Sequence, residues 1–104
     1  MIPYELDDAL DIETAPAYGY PQAYALQPWR VMEGTSRITC VALGRSNGQS
    51  KLLTGGYGEA LRQREGKPTT GWNLLFDVAF LIADGHFNEV DRIPWFDAML
   101  LWKW

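Results

Sequence analysis

The sequence predicts an α/β domain, a mixed sheet with helices packed on it. Two patterns point there. Three strand signals lead the chain, and a later stretch alternates helical periodicity with short apolar strands. A third observation bounds the answer: no internal repeat and no low-complexity linker divides the 104 residues, a length that supports one hydrophobic core.

Ala9–Thr14 reads as a short strand entering a loop. Across Thr14–Pro28, Pro16, Pro21 and Pro28 exclude regular helix or central strand, so the segment reads as one ordered aromatic loop. Arg37–Arg45 alternates and is β-branched at Ile38, Thr39 and Val41, which predicts a strand. Asn47-Gly48 is a hairpin turn, Gln49–Thr54 the returning strand, and Gly55-Gly56 closes it. Tyr57–Gly66 predicts a short amphipathic helix with Arg62 and Arg64 outward, stopped by Gly66 and Pro68. Thr69–Trp72 is a brief strand. Asn73–Asp84 is the strongest helix, with Asn73 as a preferred N-cap, Phe76, Phe80 and Ala83 on one face, and Gly85 at its C-terminal end. Ile93–Phe96 is a last short strand, and Asp97 opens the apolar segment Ala98–Trp104.

Composition narrows the chemistry. Hydrophobic residues make up 47% and charged residues 21%, and the net charge of −4 argues against a strongly basic nucleic-acid surface as a global description. One cysteine, Cys40, and one histidine, His86, exclude a disulfide scaffold, a Cys-rich zinc site and a His cluster. Cys40 is expected in the core of its strand and His86 at the surface. Gly55-Gly-Tyr-Gly58 lacks a following lysine and reads as a turn, not a phosphate loop. No apolar run approaches the roughly 20 residues that span a bilayer, and the acidic start has no basic n-region, so the expectation is a cytoplasmic protein without a membrane span or signal peptide. The charge is uneven: residues 1–33 balance to −5, residues 34–70 to +4 and residues 71–104 to −3. Solvated strand and helix faces account for such a pattern, and so does a basic strip for a polyanion.

What remains for chemistry is carboxylate. In Asp11-Ile12-Glu13, strand alternation sends both acids to one face and Ile12 to the other, beside Leu10 in the core. Two like charges so close call for a cation, and an oxygen-only donor set at that spacing suits Mg²⁺ or Mn²⁺. A solvent-exposed strand edge carrying two acids fits the same residues. Asp77 lies four residues after Asn73, one helical turn on, where the helix dipole also favours an acid.

Taken together these segments resemble the 3′–5′ proofreading exonuclease domain of family A DNA polymerases, of the phage and DNA polymerase I type, within the RNase H-like superfamily. Ala9-Leu-Asp-Ile-Glu-Thr14 is similar to that family's first motif. Gly71-Trp-Asn-Leu-Leu-Phe-Asp-Val-Ala-Phe-Leu81 is similar to its second, with Trp72 where the family usually has His or Gln. Asp97-Ala-Met-Leu-Leu101 resembles the D-T-M-L segment that follows, which supplies no metal ligand in that family. The resemblance covers nearly the whole chain, in order. It implies an RNase H-like mixed sheet with flanking helices and a bacterial or phage-infected host cytoplasm. It further implies two-metal hydrolysis of the 3′-terminal phosphodiester of single-stranded DNA. Asp11, Glu13 and Asp77 would be the catalytic metal ligands for Mg²⁺ or Mn²⁺, and Asn73, Thr14 and Trp29 substrate contacts. Tyr18, Tyr20 and Tyr24, with Trp29, would stack on frayed bases, or else pack within their loop. The basic middle third would track the single-stranded backbone.

The family's third motif, Tyr-x-x-x-Asp, has no counterpart: no tyrosine follows Tyr57. The expectation is therefore residues 1–104 as one partial exonuclease-like domain, cut before that motif, with the rest of a polymerase as its partner. A nuclease-like binding module without catalysis, and an unrelated α/β interaction domain, are the competing classes. Trp95, Phe96, Met99, Leu100, Leu101, Trp102 and Trp104 put seven large apolar residues within ten positions, which predicts self-association or a covering protein partner.

Overall fold

The structure, a computed structural model, describes residues 8–45 and 48–102, with side chains through residue 100. It is an α/β fold with a five-stranded mixed sheet and flanking helices. The strands are β1 (Ala9–Pro16), β2 (Ser36–Gly44), β3 (Ser50–Leu53), β4 (Thr69–Gly71) and β5 (Trp95–Asp97). Their order across the sheet is β3-β2-β1-β4-β5. Strands β1, β2 and β3 pair antiparallel, β1 and β2 across a long connection that holds α1, while β4 and β5 run parallel to β1 and are reached by helical crossovers. The helices are α1 (Trp29–Glu33), α2 (Tyr57–Arg62), α3 (Leu74–Ala83), α4 (Phe87–Asp91) and α5 (Ala98–Trp102).

One face of the sheet carries the core. Leu10 and Ile12 of β1 and Ile38 and Val41 of β2 pack with Leu61 of α2, Phe80 and Leu81 of α3, Val90 of α4 and Ile93. Phe80 and Leu81 are fully enclosed, each contributing roughly 1.5–3 kcal/mol from apolar burial. Phe76 stacks on Phe80 with ring centroids 4.8 Å apart, as the helical spacing predicts. Among the described residues no helix is long and apolar enough to cross a membrane.

Several boundaries differ from the sequence reading. The loop after β1 is not wholly irregular: it holds a 3-10 turn at Gln22–Leu26 and helix α1, which starts just after Pro28. Helix α4 was likewise not expected. Five residues are too few for helical periodicity to register. Helix α2 stops at Arg62 and its chain continues as tight turns through Lys67. Ile93 is buried ahead of β5 instead of opening it, because Pro94 has no N–H to give a ladder. Cys40 is half-buried, on the face away from the core. His86 is also half-buried, set edge-on to Tyr57 and paired with Asp84 at 2.9 Å. Asn47 of the expected hairpin turn lies outside the described residues.

Candidate carboxylate site on the central strand

Strand β1 lies in the middle of the sheet, and its alternation is regular: Leu10 and Ile12 are buried, Asp11 and Glu13 exposed on the opposite face. Register carries that face across the sheet. Asp11 sits beside Ala42 and Glu13 beside Cys40 on β2, Ala42 beside Leu52 on β3, and Ala9 beside Thr70 and then Phe96 on the other side. The two acids therefore stand on a floor of small side chains, with the exposed Leu52 and Phe96 as rims. The ladder between β1 and β2 slips between Glu13 and Thr14, so β2 inserts one extra residue, Thr39, whose hydroxyl donates to the Glu13 carbonyl at 3.1 Å. A bulge at this point bends β2 just beyond the Glu13–Cys40 pair.

Asp77 approaches from the other side. It is 4% exposed, on the core-facing side of α3. Its carboxylate accepts the backbone N–H of Ile12, on the part of β1 that runs on past the short β4. Its Oδ2 is buried without a hydrogen-bond partner among the described residues. Burial, then the neighbouring charge of Asp11, pushes the Asp77 carboxyl up to about 7, with Asp97 and Glu13 adding to the rise and the Ile12 N–H opposing it. Asp11, Glu13 and Asp77 thus share one electrostatic neighbourhood flanking Ile12. A buried carboxylate oxygen with no donor, close to two more acids, is costly to ionise without a compensating positive charge. Among the described residues, no three His, Cys, Asp or Glu side chains are close enough to hold one ion.

The other predicted contacts divide. Asn73 precedes α3 in the left-handed region, φ 55°, and its side chain does not cap the helix, contrary to expectation. The cap comes from Asp97 across the sheet: Oδ1 accepts from the Asn73 N–H and Oδ2 from the Leu74 N–H, both at 3.0 Å. Oδ1 also accepts from Met99 N–H at 3.0 Å, so one carboxylate caps both α3 and α5. Asn73 itself is exposed, one turn before Asp77 at the N-terminal end of the same helix. Gly71 explains the tight junction between β4 and α3, since a Cβ there would strike Leu74 and stand 2.9 Å from the Leu10 carbonyl.

Thr14 is a loop anchor rather than a free contact: its hydroxyl donates to the Ala25 carbonyl at 2.6 Å. Trp29 is 54% exposed at the start of α1. Sequence reasoning passed over Arg30, whose guanidinium lies 3.9 Å from the Tyr24 ring centroid, with Tyr20 stacked on the far partner at 5.7 Å. Arg30 also holds Gln27 and Glu33, and the hydrogen bond to Glu33 lowers that carboxyl's pKa. Its sequence signal was its isolation as the sole base in residues 1–33. Arg64, expected to point outward, turns in: it pairs with Asp8 at 2.6 Å and donates to the Pro68 carbonyl and Thr69 hydroxyl.

Comparison with family models, curated proteins and solved structures finds no match to the chain.

Proposed function

We propose that this chain is part of a metal-dependent 3′–5′ exonuclease domain with an RNase H-like sheet, acting on the 3′ end of single-stranded DNA in the manner of polymerase proofreading domains. The observation that carries the reading is the orphaned, buried Asp77 oxygen beside the D-x-E acids of the central strand. The five-stranded mixed sheet is compatible with the RNase H-like arrangement that the motifs imply. Asp11, Glu13 and Asp77 would hold Mg²⁺ or Mn²⁺, and such ions would supply an activated water and charge stabilisation for the departing 3′ oxygen.

The chain's own residues do the rest. Asp77 gives up its proton when positive charge replaces the repulsion of Asp11, so cation affinity rises with pH through about 7. The small side chains of Ala42 and Cys40 leave room above the acids for a strand to lie against the sheet. The exposed Asn73 amide is placed to hydrogen-bond the terminal nucleotide, and Trp29 with Tyr18, which is fully exposed, to stack on unpaired bases. Arg30, clamped on Tyr24, keeps that aromatic loop in one shape.

A 3′-labelled single strand incubated with the chain and Mn²⁺ tests the reading. Stepwise shortening that disappears in Asp11→Ala/Glu13→Ala is the expected result; shortening that survives the double substitution counts against it. Strand binding without shortening, equal in wild type and double variant, would favour the alternative, a nuclease-like module that binds without cutting. The spacing of the described carboxylates, with no three able to share one ion, is the observation on that side.

A further inference from the structure

At the other end of β1, on the helix-bearing side of the sheet, lies a second cavity of about 560 Å³, between the β2–β3 hairpin and the turns after α2. Its volume is within the roughly 300–1,000 Å³ typical of small-ligand sites. Among the described residues four cationic side chains line it, Arg45, Lys51, Arg64 and Lys67, against the one carboxylate of Asp8, over an apolar floor that includes Leu43.

The pairing of charges is what distinguishes this cavity. Arg30, Arg62 and Arg92 are each in ion pairs with glutamates, and Arg64 with Asp8. Of the four described cations outside these pairs, Arg45, Lys51 and Lys67 converge here, in a chain whose net charge is −4. Only Arg37 lies elsewhere. Arg64 builds the wall rather than offering free donors: it is anchored to Asp8 and Thr69 and also reaches the Lys67 carbonyl, which ties down the turn that presents Lys67. Like charges gathered without partners repel one another and are relieved by a bound anion. Ammonium and guanidinium groups presented from two facing elements suit a chain of phosphates, whose negative charges are spaced to meet several cations at once.

We propose that this cavity binds an organic phosphate bearing two or more negative charges, its phosphates held among Arg45, Lys51 and Lys67 and its uncharged part over Leu43. Such a group is offered by a free nucleoside triphosphate and by a nucleic-acid strand. The cavity is distinct from the carboxylates: Asp11 and Glu13 face the other side of the sheet, and Asp77 does not line it.

Calorimetric titration of the full chain with ATP, and separately with a short oligothymidylate, both without divalent ions, tests it. Saturable binding that weakens at least about tenfold in Lys51→Glu/Lys67→Glu, falls as salt rises, and is untouched by Asp11→Ala/Glu13→Ala is the expected result. Binding of ATP assigns the site to nucleotides; binding of the oligonucleotide alone, with the same losses, assigns it to a strand backbone. Both lysines are exposed, so the variant should unfold at the wild-type temperature, and the milder Lys51→Gln should lose a fraction of the affinity. No saturable binding of either probe, or binding that survives the charge reversal in a folded variant, overturns the proposal.

Discussion

Asp77 holds a carboxyl where burial opposes a charge, and the consequence is measurable without any ligand. An ordinary aspartate ionises near 3.8 when the chain is unfolded, whereas Asp77 keeps its proton to about 7 in the folded protein. Between those values the native state binds more protons, so stability falls as pH rises from about 4 to about 7, by a few kcal/mol. Urea unfolding at the two ends of that range should show the loss. Asp77→Asn should flatten the profile, and a slope unchanged in that variant would place its origin in another group. That Asp11 and Glu13 share a face away from Ile12 was legible from strand alternation, a local rule, whereas grouping Asp77 with them rested on the resemblance of motifs. The roles of Asp97 and Arg64 were not legible: Asp97 acts on Asn73 and Leu74, 24 and 23 residues away, and Arg64 on Asp8, 56 residues away. Such contacts exist only once the sheet has formed.

Helix α3 and its junction with β4 carry the strongest structural dependence on single side chains. Asp97 satisfies two of the N–H groups at the start of α3 and one at the start of α5, so Asp97→Ala should cost about 2–4 kcal/mol in urea unfolding, with Asp97→Asn intermediate. Gly71→Ala should cost roughly 1–3 kcal/mol, since the Leu10 carbonyl is backbone and cannot rotate away. A Gly71→Ala protein as stable as wild type would mean that α3 shifts freely on the sheet. Every strand and both longer helices were readable from alternation, β-branching and glycine punctuation. The short helices α1 and α4 were not: α1 follows three prolines and is held by Arg30 and tertiary contacts with the sheet rather than by its own pattern, and α4 is too short for periodicity to register. The slip just after Glu13 comes from the one-residue mismatch between β1 and β2 and has no local signature.

Across the molecule the charge pattern sorts into places. Asp11 and Glu13 of the first third and Asp77 and Asp97 of the last share one neighbourhood beside Ile12, while Arg45, Lys51 and Lys67 of the middle third line the cavity at the far end of β1. Arg62, also in the basic middle third, is held by Glu59 and Glu89 instead of joining that cluster. The sheet face bearing Asp11 and Glu13 also exposes Leu52 and Phe96, and helices α1 to α4 pack with the core on the opposite face. Apolar surface of this kind favours association, so light scattering should find the chain self-associated, and Phe96→Glu with Leu52→Glu should return it to monomers. A wild-type monomer at all concentrations would remove that face as an interface.

The central claim is that Asp11, Glu13 and Asp77 form a divalent-cation site, and calorimetric titration with Mn²⁺ tests it most directly. Above about pH 8, where Asp77 is ionised, binding should be saturable; it should weaken below about pH 6 as Asp77 takes up its proton. Asp11→Ala/Glu13→Ala should abolish it. Absence of binding at high pH, or binding that the double substitution leaves unchanged, would contradict the account.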